Sequence, residues 1–258
     1  MSWRELVEPE LLRVLLVFAR IGAALMVVPG FGEVYVLPRL RLLLALVLSA
    51  LLAPVLAPEL ATALPPAGLA TGELLGLVMA EIVVGLLIGA VTRVAMVALH
   101  LGGSIIASQS GLASAVFFDP HDGSQGSIGS NFLAVVGVTL LFAADAHHAV
   151  LRALADSYGL FAVGAPLMPG DAADLLSRLL GEATAVGLRI AAPVTLVGLA
   201  LSVGLGALNR MVPAFQMLFV ATPAQLLLSL GALMLSLAAC LHAFLRLFDR
   251  GLAVVAGG

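Results

Sequence analysis

The chain has 258 residues, 62% apolar and 10% charged, with a formal net charge of −3 and a mean hydropathy of +1.16. A soluble domain carries about 25% charged and 45–50% apolar residues, so this apolar excess is too large for one core, and the outer faces must meet lipid or other subunits. The twelve basic residues are all arginine and form no basic stripe for nucleic acid, while the single cysteine, Cys240, excludes a disulfide framework and a thiolate metal cluster.

The N-terminus does not read as a cleavable signal peptide. Glu5, Glu8 and Glu10 precede the apolar stretch, and Met26 to Pro29 offers no small-residue cleavage site, so the first helix is expected to stay in the mature protein. Six apolar blocks follow. The first runs from about Leu11 to Val28 and stops at Pro29-Gly30-Phe31-Gly32. The second runs from Leu40 to Pro54, with Pro58, Pro65 and Pro66 marking a loop. The third opens at Thr71-Gly-Glu and stays helix-compatible to about Phe118. The fourth covers Asn131 to roughly Leu154, the fifth Asp171 to Leu208 with Pro193 inside, and the last starts after Pro223 and reaches Phe248. Blocks of this size with little period-2 alternation read as helices. The expected fold is all-α: one integral-membrane domain over residues 1–258, with about six hydrophobic segments forming kinked helical hairpins.

Charges interrupt these spans. Arg20 lies in the first, Glu81 and Arg93 in the third, Asp145, His147 and His148 in the fourth, and Arg189 in the fifth, with Arg210 just beyond it. Each such charge costs about 2.5–3.5 kcal/mol at the centre of a membrane helix, so the expected positions face protein or water. Pro29, Pro38 and Pro213 are expected helix breaks. So is Gly102-Gly103, because the 48-residue third block would be about 70 Å long as one helix, against a bilayer core of about 30 Å. A hairpin or sharp kink is expected there.

Small residues recur at helical spacing: Gly72, Gly76 and Ala80, then Gly85 and Gly89, which lets helix backbones approach closely. With six spans, Arg4, Arg13, Arg152, Arg178, Arg246 and Arg250 would share one side, and Arg39, Arg41 and Arg210 the other, favouring cytoplasmic termini.

Two stretches stand out chemically. In Asp145-Ala-His-His, Asp145 and His148 share a helix face, with Arg152 one turn on. A metal site would need a further ligand in fixed geometry, for which loop residue His121 is the one candidate. The group therefore reads first as a hydrogen-bonded helix-end cluster, and no metal or cofactor is assigned. The segment from Gln109 through Val116, Phe117, Phe118, Asp119, Pro120 and Gly123 to Gly129 passes from small residues through an aromatic pair into an almost uncharged Gly/Ser/Asp loop. Such a loop suits either ordinary solvent or the inside of a protein pore, since irregular backbone at membrane depth survives only when buried in protein or lining water. No catalytic arrangement emerges: Gly-x-Ser-x-Gly, His-Glu-x-x-His and a phosphate loop ending in Lys are all absent.

Several motifs resemble one family in order along the chain. Arg20-Ile-Gly, Pro29-Gly-Phe-Gly, Pro38 and Arg41-Leu-Leu-Leu-Ala-Leu-Val-Leu-Ser are similar to the opening of the FliR family. Leu101-Gly-Gly-Ser-Ile-Ile-Ala-Ser-Gln-Ser-Gly-Leu-Ala with Asp119-Pro120 resembles its most distinctive region. His147-His148 with Arg152-Ala-Leu-Ala-Asp-Ser-Tyr, and Leu205-Gly-Ala-Leu-Asn-Arg-Met-Val-Pro213, resemble later segments. Ala214, Gln216 and Ala221 depart from the family pattern, which bears on polar contacts at that turn. The injectisome relatives, SctT, are also similar, though Phe31-Gly32 and the Arg41 segment look more flagellar.

The resemblance implies a core subunit of the flagellar type III export gate in the bacterial inner membrane, similar to a FliP–FliQ fusion. It implies a helical hetero-oligomer with FliP-like and FliQ-like subunits, contacts with FlhB-like and FlhA-like components and membrane lipid, and passage of unfolded flagellar proteins. It further implies that the loop from roughly Ser108 to Ser124 plugs the closed pore. The alternative reading of the same charges is a secondary transporter using Glu81, Arg93, Asp145 and the histidines as a relay.

Overall fold

The computed structural model describes residues 3–61, 71–111, 127–164, 169–211 and 217–256. The expected plug residues Val116, Phe117, Phe118, Asp119, Pro120 and Gly123, together with His121, Pro213, Ala214 and Gln216, lie outside the described residues. Among the described residues all regular structure is helical: α1 (Trp3–Val27), α2 (Pro38–Leu52), α3 (Ala57–Ala61), α4 (Thr71–Gln109), α5 (Ile128–Ala143), α6 (Ala146–Leu160), α7 (Pro169–Met211) and α8 (Met217–Ala256).

The helix limits follow from local chemistry. The chain leaves α1 just before Pro29, and Gly30 takes φ 87, a conformation cheap only for glycine. Pro38 stands at the start of α2, where a missing N–H costs nothing because that donor would be unpaired anyway. No proline falls within α4, and Gly111 at φ 77 lies two residues beyond its end. Ser127 caps α5, its side chain accepting from the Ser130 N–H at 3.1 Å.

Two sequence expectations change. The fourth block is two helices, divided at Ala144–Asp145, where Asp145 takes φ 54; no proline or glycine marks that break. Conversely, α4 runs through Gly102-Gly103 without interruption. These glycines serve close packing instead: a Cβ on Gly102 would stand 2.8 Å from Ile190 Cγ2, and one on Gly103 would stand 2.5 Å from the Gly129 carbonyl oxygen.

Among the described residues, three helices are long and apolar enough to cross a membrane, within α4, α7 and α8, and a fourth if α5 and α6 count as one bent span. The chain is thus an all-α polytopic membrane protein. The 39, 43 and 40 residues of α4, α7 and α8 give lengths of about 58, 64 and 60 Å, roughly twice a bilayer core.

The residues fall into two compact units. One comprises Met1–Val94, Asp145–Leu179 and Phe248–Gly258; the other comprises Ala95–Ala144 and Leu180–Leu247. In the first, Leu16, Val17, Ile21 and Leu25 of α1 pack with Ala45 of α2, Leu56, Leu60 and Tyr158 of α6. Here α4 approaches α1 through its glycines: a Cβ on Gly85 would overlap the Arg20 carbonyl oxygen, and one on Gly89 would stand 2.9 Å from that of Ala24. Gly72 and Gly76 meet nothing within 4 Å among the described residues. In the second unit Leu99, Leu133, Ile190, Val194 and Phe244 are buried, and Gly137 leaves room for Leu99.

Candidate functional site

The most developed polar site lies in the first unit, around the charge that interrupts α1. Arg20 is 0% exposed, as is Glu81 of α4. The guanidinium grips the carboxylate with two bonds, Nε to Oε2 at 2.6 Å and Nη2 to Oε1 at 3.0 Å. Two further donors are used: Nη1 donates to Ser157 Oγ at 3.1 Å, and Nη2 donates to the Phe161 carbonyl at 2.9 Å. The Tyr158 ring lies 3.7 Å from the guanidinium carbon, an additional cation–π contact. The Gly164 backbone adds a hydrogen bond to Glu81. Three helices and the segment after α6 therefore converge on one ion pair. A buried pair is favoured when both charges are paired and further hydrogen bonds surround them, and here the guanidinium makes four such bonds.

A second pair lies nearer the end of α1. Arg93 Nη1 meets Glu33 Oε1 at 3.1 Å and the Val27 carbonyl at 3.4 Å. Arg41 Nη2 donates to the Glu33 carbonyl at 3.0 Å. The turn between α1 and α2 is thereby tied to α4 and α2 by arginines on both.

Each sequence-derived site residue can now be placed. Arg20 and Glu81 are buried in protein, whereas the Arg93 side chain, paired with Glu33, stays 39% exposed. Arg189 and Arg210 are exposed on α7. Asp145 and His148 form a loose pair, Oδ1 to Nδ1 at 3.6 Å, on an exposed helix start. Pro29 follows α1 and Pro38 opens α2. Gln109, the described root of the expected plug, accepts a hydrogen bond at its carbonyl from Gln225 Nε2 at 2.5 Å, within the second unit. Glu33, Ser157, Tyr158 and Gln225 escaped notice in the sequence. Ser157 and Tyr158 stand inside the Asp-Ser-Tyr motif, so a signal was present; Glu33 and Gln225 carry none.

Fold and site together define a membrane protein of long helices in which Arg20 pairs with Glu81 and Arg93 with Glu33. The sequence profile of the bacterial export proteins, family 1, matches residues 11–251. The flagellar biosynthetic protein FliR of Caulobacter vibrioides is 36% identical over 222 residues, 86% of this chain and 87% of that protein. FliR of Escherichia coli is 27% identical over 68% of the chain and 69% of its own length, and the Yop proteins translocation protein T of Yersinia pestis is 28% identical over 57% of each. This chain belongs to the bacterial export proteins, family 1. It is a type III export-apparatus component of the bacterial inner membrane.

Proposed function

We propose that the chain is a core subunit of the flagellar export gate, assembling with FliP-like and FliQ-like subunits around a pore for unfolded flagellar proteins, and meeting FlhB-like and FlhA-like components there. The observation that carries this reading is the likeness to a protein named for flagellar biosynthesis along 86% of the chain. Two structural features support it. The helices exceed the bilayer by about a factor of two, which suits an assembly standing partly outside the lipid. Large apolar side chains such as Leu196, Leu227, Met234 and Leu235 are 67–90% exposed, as subunit-facing residues would be in an isolated chain.

In this reading the segment from roughly Ser108 to Ser124 closes the pore, Phe117 and Phe118 anchoring the plug and the Gly/Ser run supplying its mobility. Deleting Val116 to Gly123 raises small-ion leakage in cells carrying the complete gate, measured by dye or conductance assays. Unchanged leakage with assembly intact would overturn the plug. The transporter alternative needs one connected relay. Glu81 and Arg93 instead have different partners, Arg20 and Glu33, which favours a scaffold of fixed ion pairs.

A further inference from the structure

We propose that Asp145, His147 and His148 form a binding site for a divalent transition-metal ion of the zinc class. The sequence offered Asp145 and His148 on one helix face, with His147 pointing elsewhere, since neighbours on a helix are rotated by about 100°. The structure brings the third donor in. One ligand atom from each residue lies within 4.8 Å of the other two. The two imidazole rings are 4.1 Å apart between centroids and tilted by 37°.

The spacing suits a small ion. A tetrahedral zinc with bonds of about 2.0–2.2 Å holds its ligand atoms roughly 3.4 Å apart, and Asp145 Oδ1 and His148 Nδ1 already stand 3.6 Å apart. The His147 donor, within 4.8 Å of both, would have to close to a similar distance to complete the set. Asp145 adopts φ 54, the one positive φ among the described non-glycine residues, and this turn directs the start of α6. Two imidazoles and one carboxylate select zinc, nickel or cobalt over magnesium or calcium, which prefer all-oxygen shells. Three protein ligands leave a coordination position for water.

The surroundings set the strength. Asp145 and His148 side chains are 79% and 61% exposed; such groups are costly against hydrocarbon, so the start of α6 meets water or a polar partner. Arg152 and the positive end of the α6 dipole oppose a cation. Binding is therefore moderate, and a bound ion would fix the backbone at the break without being needed for folding.

The test uses the full chain, purified in detergent with a histidine-free tag and whatever subunits accompany it. Zinc is titrated against a chromophoric chelator, and cobalt binding is followed by visible absorption. One saturable ion per chain is expected. Asp145→Asn, His147→Gln and His148→Gln should each weaken it by at least about tenfold and remove the cobalt bands. His242→Gln, on an exposed position of α8, should change neither. Since the three residues are exposed or half-buried, size-exclusion profiles should match wild type; three independent variants guard against one that misfolds. No saturable binding by wild type up to millimolar zinc, or equal binding by wild type and all three variants, would overturn the proposal.

Discussion

Arg20 shows how one residue decides the fate of a helix. Alone in α1, its charge would oppose membrane burial; gripped by Glu81, Ser157, Phe161 and the Tyr158 ring, it fastens α1 to α4 and α6. Removing one partner of a buried pair leaves the other charge uncompensated and costs about 3–5 kcal/mol, whereas replacing both with apolar groups is often neutral. Arg20→Met and Glu81→Gln alone should therefore each sharply lower the melting temperature of the chain purified in complex with its co-expressed subunits, while Arg20→Met with Glu81→Met should recover most of it. A double variant as unstable as the sum of the singles would show the pair has no such coupling. The sequence placed both charges against protein or water, but nothing in it joined positions 61 residues apart. Arg189 and Arg210 resist the same treatment: they are exposed in the chain by itself, and an external polar partner is the expected neighbour.

Among the elements, glycine spacing mattered more than glycine content. Of two similar runs on α4, Gly85 and Gly89 touch the α1 backbone, and Gly72 and Gly76 touch nothing described. Spacing alone could not separate them, because the contact depends on which face α1 covers. Gly85→Ala should then destabilise the chain, since its Cβ would overlap backbone, which cannot move aside as a flexible side chain can. Gly72→Ala should be neutral or mildly stabilising, by up to about 1 kcal/mol of helix propensity. Thermal melts of the two variants, each purified in complex with the co-expressed subunits, check this, and equal effects would refute the packing assignment. The same distinction explains Gly102-Gly103. Two adjacent glycines weaken a helix locally, but here Ile190 and the Gly129 backbone fill the space they open, so α4 continues. The break at Asp145 is the converse, a turn with no proline or glycine to announce it.

For the whole molecule, the decisive quantity is apolar surface left without a partner. The exposed leucines of α2, α7 and α8 are too numerous for the scattered exposure of a soluble protein. Expressed alone, the chain should be degraded or aggregate in detergent; co-expressed with FliP-like and FliQ-like subunits, it should be recovered in a complex whose native mass exceeds its own 26.3 kDa by those subunits. A stable, monodisperse solitary chain that binds a small solute would instead favour the transporter.

Composition and periodicity by themselves determined that this is an all-helical membrane protein, because apolar excess and helical repeats are local, additive properties. They also marked Arg20, Glu81 and Arg93 as facing protein or water, because an unpaired charge in an apolar helix is too costly to leave in lipid. Only tertiary structure decided the pairing. Arg20 with Glu81, Arg93 with Glu33, Gly85 with the α1 backbone and His147 with its neighbours are contacts between distant positions or departures from ideal helix geometry, set by how the helices pack.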